Sequence, residues 1–142
     1  ATKQLGERLT NWAGPHIDTT KFATVRLGNI IETRGNVFEV WNEQLKNNLP
    51  LSITDPKMKR YFFHMNEAVD FILQCMLRVN KGEIFVPKMK LCTITDLASK
   101  LSKNQKIIGA RQGEKLQEIL ITEEEKKISE EKENMWIIQN YS

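Results

Sequence analysis

The chain has 142 residues, 40% hydrophobic and 27% charged, with a formal net charge of +3. That length suits a modest hydrophobic core. No apolar run approaches the roughly 18 residues of a membrane span, no charged-then-apolar stretch opens the chain as a secretory signal does, and seven Gly with four Pro exclude a collagen-like or low-complexity chain.

The charge is unevenly placed. Residues 123–133 hold six Glu and three Lys, and the rest of the chain carries 18 basic against 12 acidic residues. A basic body fits an anionic ligand, nucleic acid or nothing specific. Aromatics do not interleave with the cations in any nucleic-acid motif, so no nucleic-acid partner is expected. Cys75 and Cys92 match no metal or redox spacing, and His16 and His64 complete no zinc set with them. No metal is expected, and reduced, cytoplasmic chemistry is the default.

In chain order, residues 1–12 read as helix, with Leu5, Leu9 and Trp12 on one face. No capping residue precedes this helix, which points to a chain that starts inside a larger fold. Gly14-Pro15 is expected to end it. Residues 22–27 are β-rich and run into a Gly28-Asn29 loop. Asn36 is placed to cap a second helix, with Glu39 three residues on and Val37, Val40, Trp41 and Leu45 as its apolar face. Residues 50–54 and Tyr61-Phe62-Phe63 read as short strands. Asn66 is placed to cap a helix whose stripe is Ala68, Phe71, Ile72, Cys75, Met76 and Val79, stopped by Lys81-Gly82. Glu83 to Val86 is a strand, Thr93 to Asp96 resembles a capping box for a helix to Leu101, and Lys106 to Gly109 is a strand. Glu123 to Glu125 read as a solvated helix start, and Met135 to Ile138 as a last strand. The Gly-rich dinucleotide fingerprint is absent.

Three clusters have residue types that bind ligands. Arg26-Leu27-Gly28-Asn29 ends a strand, where open α/β sheets place ligands, though an ordinary strand-to-loop turn has the same residues. Residues 55–60 put three cations into four positions, suited to phosphate or to a solvated loop. Residues 109–115 place Arg111 three positions before Glu114. That pair suits a phosphate and a sugar hydroxyl, and equally a surface ion pair.

These clusters, taken in order, resemble the extended short-chain dehydrogenase/reductases that act on nucleotide sugars. The matching stretches include Ala1-Thr2-Lys3, residues 25–30, Thr33-Arg34-Gly35, Ile53-Thr54-Asp55-Pro56, Met58-Lys59-Arg60, residues 82–87, residues 95–98 and residues 108–116. The nearest branch is the polysaccharide-biosynthesis group, and within it the inverting UDP-N-acetylglucosamine 4,6-dehydratases. A UDP-N-acetylglucosamine epimerase of the same group, or a UDP-sugar-binding fragment without catalysis, is the alternative.

The resemblance implies an α/β fold: the C-terminal part of an extended short-chain dehydrogenase/reductase. Residues 1–35 would end the Rossmann domain, and residues 36–142 would form mainly the smaller substrate-binding region, some segments returning to the Rossmann sheet. It implies that Lys3 is the active-site lysine of a Tyr-x-x-x-Lys motif whose Tyr lies before Ala1. An N-terminal half would then lie outside this chain, and the fragment alone would be inactive. In the family, the lysine holds the nicotinamide ribose and lowers the Tyr pKa. Oxidation at C4, loss of water across C5–C6 and return of hydride to C6 follow. NADP, or NAD, is the implied cofactor, bound mainly by the N-terminal half. A homo-oligomer is implied when full length.

By motif position, Leu27, Gly28 and Ile30 should border the nicotinamide and Asn29 should meet the sugar or diphosphate. The Ser52-Ile53-Thr54 backbone should flank uracil. Arg60 and Arg111 should bind the diphosphate, and Glu114 the uridine ribose. The chain departs from the family at Leu27 (usually aromatic), Glu32 (Gly), Glu39 (Pro), Lys59 (Thr) and Gln112 (Pro).

Overall fold

The computed structural model of the chain describes residues 2–110 and 116–139. Its elements in chain order are α1 (Thr2–His16), β1 (Thr24–Val25), β2 (Asn29–Ile30), α2 (Val37–Lys46), β3 (Leu51–Ile53), β4 (Lys59–Phe63), α3 (Met65–Met76), β5 (Ile84–Pro87), β6 (Leu91–Thr93), α4 (Ile94–Leu101), β7 (Gln105–Ile107), α5 (Glu123–Lys127), β8 (Ser129–Glu131) and β9 (Met135–Ile138). They form two compact units. One comprises Ala1–Leu27, Asn66–Lys88 and Ile119–Ser142, the other Gly28–Met65 and Met89–Glu118.

The first unit holds a four-stranded sheet in the order β1-β5-β9-β8. β1 pairs parallel with β5, and β5–β9 and β9–β8 pair antiparallel. All four residues of β5 are buried, as expected for a central strand covered on both faces. Ile84, Val86 and Ile138 form its core cluster, with Leu120, Ile121 and Trp136 packed on it. Within this unit helix α1 packs by backbone contact. A Cβ on Gly14 would sit 2.3 Å from the Gly82 nitrogen, and a Cβ on Gly82 would sit 2.7 Å from the Asn11 carbonyl oxygen. Gly82 also has φ +88°, which glycine adopts at no steric cost. The Asn11 side chain donates to the Gly82 carbonyl at 3.0 Å and fixes the approach.

The second unit holds the sheet β2-β4-β6 and the parallel pair β3-β7. Its core is Trp41, Leu51, Ile53, Met58, Ile94 and Ala98, flanked by Val37, Phe38, Leu45, Phe62 and Leu97. Helix α2 starts where Asn36 Oδ1 accepts the Glu39 N–H at 3.1 Å. It ends in a Schellman turn: Asn48 stands at φ +53°, its N–H reaches the Leu45 carbonyl at 3.1 Å, and the Leu49 N–H reaches the Gln44 carbonyl at 2.8 Å. That turn sends the chain straight back along α2 as β3. Thr93 caps α4 by accepting the Asp96 N–H, as its sequence position predicts.

Some expectations change. α1 runs through Gly14-Pro15 to His16, because Pro15 falls in the last turn and costs only one backbone bond there. Its Leu5, Leu9 and Trp12 face is not the packed side: the three are 58–60% exposed, while Ala13 and Gly14 are buried. α3 begins at Met65, not after Asn66, because the Glu32 carboxylate accepts the Met65 N–H at 2.8 Å and does the capping from a distance in sequence. α3 ends at Met76, and within its stripe Ala68, Phe71 and Cys75 are buried but Ile72 and Met76 are exposed. The expected strand over 22–27 narrows to Thr24–Val25, Asn29–Ile30 pairs as a strand where a loop is expected, and β8 forms inside the charged stretch.

The two glycines of α1 give opposite expectations. A methyl group at Gly6 would meet nothing within 4 Å, so Gly6→Ala should stabilise the chain by about 0.5–1 kcal/mol. Gly14→Ala should destabilise it by roughly 1–3 kcal/mol, as overpacking does. Urea unfolding of the two variants beside the wild type checks both signs.

Candidate functional site

The second unit contains a cavity of about 340 Å³. Its polar wall is Asn29, Asn36, Ser52, Thr54 and Arg60, and Met58, Phe62 and Ile94 supply apolar surface. Such a lining, apolar surface combined with placed polar groups, suits a small-molecule site.

Each polar residue is carried by a different element. Asn29 lies on β2, and its amide nitrogen donates to the Tyr61 carbonyl at 3.3 Å on the neighbouring strand β4. Arg60 lies on β4, and its Nη1 donates to the Lys59 carbonyl at 2.8 Å and the Leu116 carbonyl at 3.2 Å. Leu116 is held beside β4 because its carbonyl also accepts the Lys59 N–H at 2.8 Å. Ser52 and Thr54 come from β3 and the turn after it. Asn36 does two jobs. While its oxygen caps α2, its amide nitrogen donates to the carbonyls of Ile30 and Ile31, tying the β2 loop to the helix. Sequence reading identifies only the cap, since the second job depends on the fold.

The structure thus brings Asn29, Ser52, Thr54 and Arg60 to one cavity. Ile53 sits among them in sequence, but its side chain is 1% exposed in the core and its carbonyl accepts the Ile108 N–H at 2.8 Å. Arg111 and Glu114 lie outside the described residues. Gly28 and Ile30 belong to this unit, whereas Lys3 and Leu27 belong to the other. A Cβ at Gly28 would meet the Tyr61 Cβ and carbonyl oxygen, each at 2.7 Å, so the close approach glycine permits here is that of Tyr61. Lys3 is exposed on the first turn of α1, and among the described residues it has no ion-pair partner.

Glu32, a departure from the family pattern, accepts from His64 at 2.7 Å as well as from the Met65 N–H. The His64 hydrogen bond holds the Glu32 carboxyl below its ordinary value, with the Met65 N–H adding to it.

The other unit contains a polar cluster around Arg26 that sequence reading does not find. Arg26 meets Glu7 through Nε at 2.8 Å and Nη2 at 2.6 Å, and Glu125 through Nη1 at 2.9 Å and Nη2 at 2.7 Å. Its remaining donor reaches the Leu120 carbonyl at 3.0 Å. All five guanidinium donors are therefore used. The Glu7 bonds raise the Arg26 pKa, burial opposes them and Glu125 adds to them, so the guanidinium stays charged. Burial alone would lift the Glu125 carboxyl, but Arg26 and the Thr122 N–H together outweigh it and leave the pKa lowered. Glu125 is thus both the closing residue of the α5 capping box and an anchor for Arg26. Only the first of these roles is a local pattern.

Against known proteins, residues 1–140 match the family model described as polysaccharide biosynthesis protein. The inverting UDP-N-acetylglucosamine 4,6-dehydratase of Campylobacter jejuni is 38% identical over 122 residues, 84% of this chain and 36% of that protein. The UDP-glucose 4-epimerase of Rickettsia bellii is 37% identical over 127 residues, 85% of this chain and 37% of its own length. Among solved structures, Pen from Bacillus thuringiensis superposes with a TM-score of 0.88 at 30% identity, covering 98% of this chain and 47% of that one. The chain spans between about a third and a half of the length of these curated relatives.

The Arg26 cluster makes a checkable claim. Arg26→Met leaves two partly buried carboxylates facing each other. It should cost roughly 2–3 kcal/mol at neutral pH, below the roughly 3–5 kcal/mol of a fully buried pair. A lowered carboxyl pKa contributes stability that is present above the ordinary value of 4.5 and lost as pH falls through the lowered one. Chemical unfolding from pH 7 to pH 3 should therefore show a smaller loss on acidification in the variant than in the wild type.

Proposed function

This chain belongs to the polysaccharide biosynthesis protein family, and from that premise we propose that it is the UDP-sugar-binding portion of a C5-inverting UDP-N-acetylglucosamine 4,6-dehydratase. It is an extended short-chain dehydrogenase/reductase of the polysaccharide-biosynthesis branch. The observation that supports the substrate class is the meeting of Asn29, Arg60 and the β3 edge in one cavity. An Arg fork suits a diphosphate, an Asn amide offers a donor and an acceptor to a sugar or phosphate, and a strand edge suits a flat base.

In this reading Arg60 and Arg111 hold the diphosphate, Glu114 the ribose of uridine, Asn29 the sugar or diphosphate, and residues 52–54 lie beside uracil. The cofactor is NADP, with Lys3 on the nicotinamide ribose and Leu27, Gly28 and Ile30 at its border. Lys3 suits that role because the neighbouring Glu7, one turn along α1, is engaged by Arg26 through both oxygens, which leaves the ammonium to an incoming hydroxyl. Bound there, the cofactor supplies reversible hydride transfer. The chain's own residues bind and orient the sugar and screen its diphosphate.

The Rickettsia relative favours a second reading, UDP-sugar 4-epimerisation, in which the same UDP grip serves a different outcome at the sugar. Product analysis of the whole protein with UDP-N-acetylglucosamine separates the two: loss of water supports the dehydratase, and a C4 epimer supports the other.

Titration calorimetry tests the substrate class directly. UDP should bind the wild-type chain, and Arg60→Met should weaken it tenfold or more, since hydrogen bonds to charged groups contribute about 1.5–3 kcal/mol. A folded wild-type chain that gives no heat with UDP would overturn the reading.

A further inference from the structure

Strand β3 has two edges, and they are satisfied differently. On one it runs parallel to β7: the Leu51 N–H reaches the Asn104 carbonyl at 2.9 Å, and the Ile53 carbonyl accepts the Ile108 N–H at 2.8 Å. In a parallel ladder alternate residues bond to the same neighbour, so Ser52 turns its backbone groups to the opposite edge, and Thr54 is the next residue out of register with β7, just past the end of the strand. No strand lies on that opposite edge among the described residues.

At Ser52 that edge is closed by side chains of α2. The Ser52 N–H donates to Gln44 Oε1 at 2.9 Å, and the Ser52 carbonyl accepts from Trp41 Nε1 at 2.9 Å. Gln44 Nε2 also donates to the Ser52 hydroxyl at 3.0 Å. The carboxamide of Gln44 and the indole of Trp41 thus stand in for a missing neighbouring strand. At Thr54 nothing equivalent is seen. Its hydroxyl turns to Met58 Sδ at 3.4 Å, and among the described residues its backbone has no partner, although Thr54 lines the cavity.

We infer that Gln44 is a positioning residue for the bound base: by closing the β3 edge at Ser52, it leaves the Thr54 peptide, just past the end of the strand, to hydrogen-bond the base. The peptide offers one donor and one acceptor, which match adjacent carbonyl and imide N–H groups on a pyrimidine edge. This rests on the UDP reading of the same cavity. It removes Ser52 and Ile53 from direct backbone contact and gives a residue outside the cavity lining a part in base binding.

Amide hydrogen exchange by NMR tests it on the wild-type chain without substitution. The Ser52 amide should exchange slowly with or without UDP. The Thr54 amide should exchange fast in the free chain and slow by about tenfold or more at saturating UDP. Two variants of similar volume then isolate Gln44. Gln44→Met removes the acceptor for the Ser52 N–H and should lower UDP affinity about tenfold while leaving inorganic pyrophosphate affinity unchanged. Gln44→Glu keeps that acceptor and should retain most of the UDP affinity. Three results would overturn the inference while UDP still binds: protection gained at Ser52 instead of Thr54, Gln44→Met binding UDP as the wild type does, or pyrophosphate and UDP weakening together. A wild-type chain that does not bind UDP overturns the functional reading, and this inference with it.

Discussion

Helix α2 and strand β3 are joined by the side chains of Trp41 and Gln44, which reach Ser52 across a tight reversal. The Trp41 indole is fully buried at the centre of its unit's core, and its one polar atom is satisfied by the Ser52 carbonyl. A buried indole N–H without a partner costs free energy, so the position of β3 relative to α2 follows from satisfying it. The Schellman turn at Asn48 brings the chain back at the right height for that bond. With β3 fixed, Met58 and Ile94 close the core beneath it, and β7 pairs on its far edge. The cavity is what remains above that core, between β3, the start of α2 and the end of β2.

The cavity's polar groups are held by backbone at almost every point. Asn29 is tied to the Tyr61 carbonyl, Arg60 to the carbonyls of Lys59 and Leu116, and the β2 loop to Asn36. Side chains fastened in this way keep their geometry before a ligand arrives, which lowers the ordering cost of binding. Glycine at position 28 belongs to the same logic, since it lets Tyr61 pack against the chain just before Asn29. In the other unit, the pairing of Arg26 with Glu7 and Glu125 fastens α1 and α5 to the end of β1, and the Gly14–Gly82 approach sets how closely α1 can lie.

Several local elements were legible from residue patterns. Asn36 and Thr93 cap their helices as predicted, β9 spans Met135–Ile138 as expected, and the β3 segment falls where Leu51 and Ile53 alternate with Ser52. Local geometry alone determines these features, because a cap or an alternation is decided within a few residues. Two of the misreadings share one cause. The start of α3 is set by Glu32, more than thirty positions away, and the burial of α1 is set by a turn at Gly82, so an adjacent Asn66 and an apolar Leu5-Leu9-Trp12 spacing point to the wrong residues.

What the amino-acid order by itself determined is the family, the caps at Asn36 and Thr93, the β3 and β9 segments and the residue types able to grip an anion. These depend on spacing and on each residue's own chemistry. The tertiary structure alone decided which of those residues share a cavity, that Arg26 spends its whole guanidinium on Glu7 and Glu125, and that Ser52 turns its peptide to Gln44 and Trp41 while Thr54 keeps its own. A hydrogen-bonding group has a fixed number of donors and acceptors, and only the folded chain shows which of them are already taken.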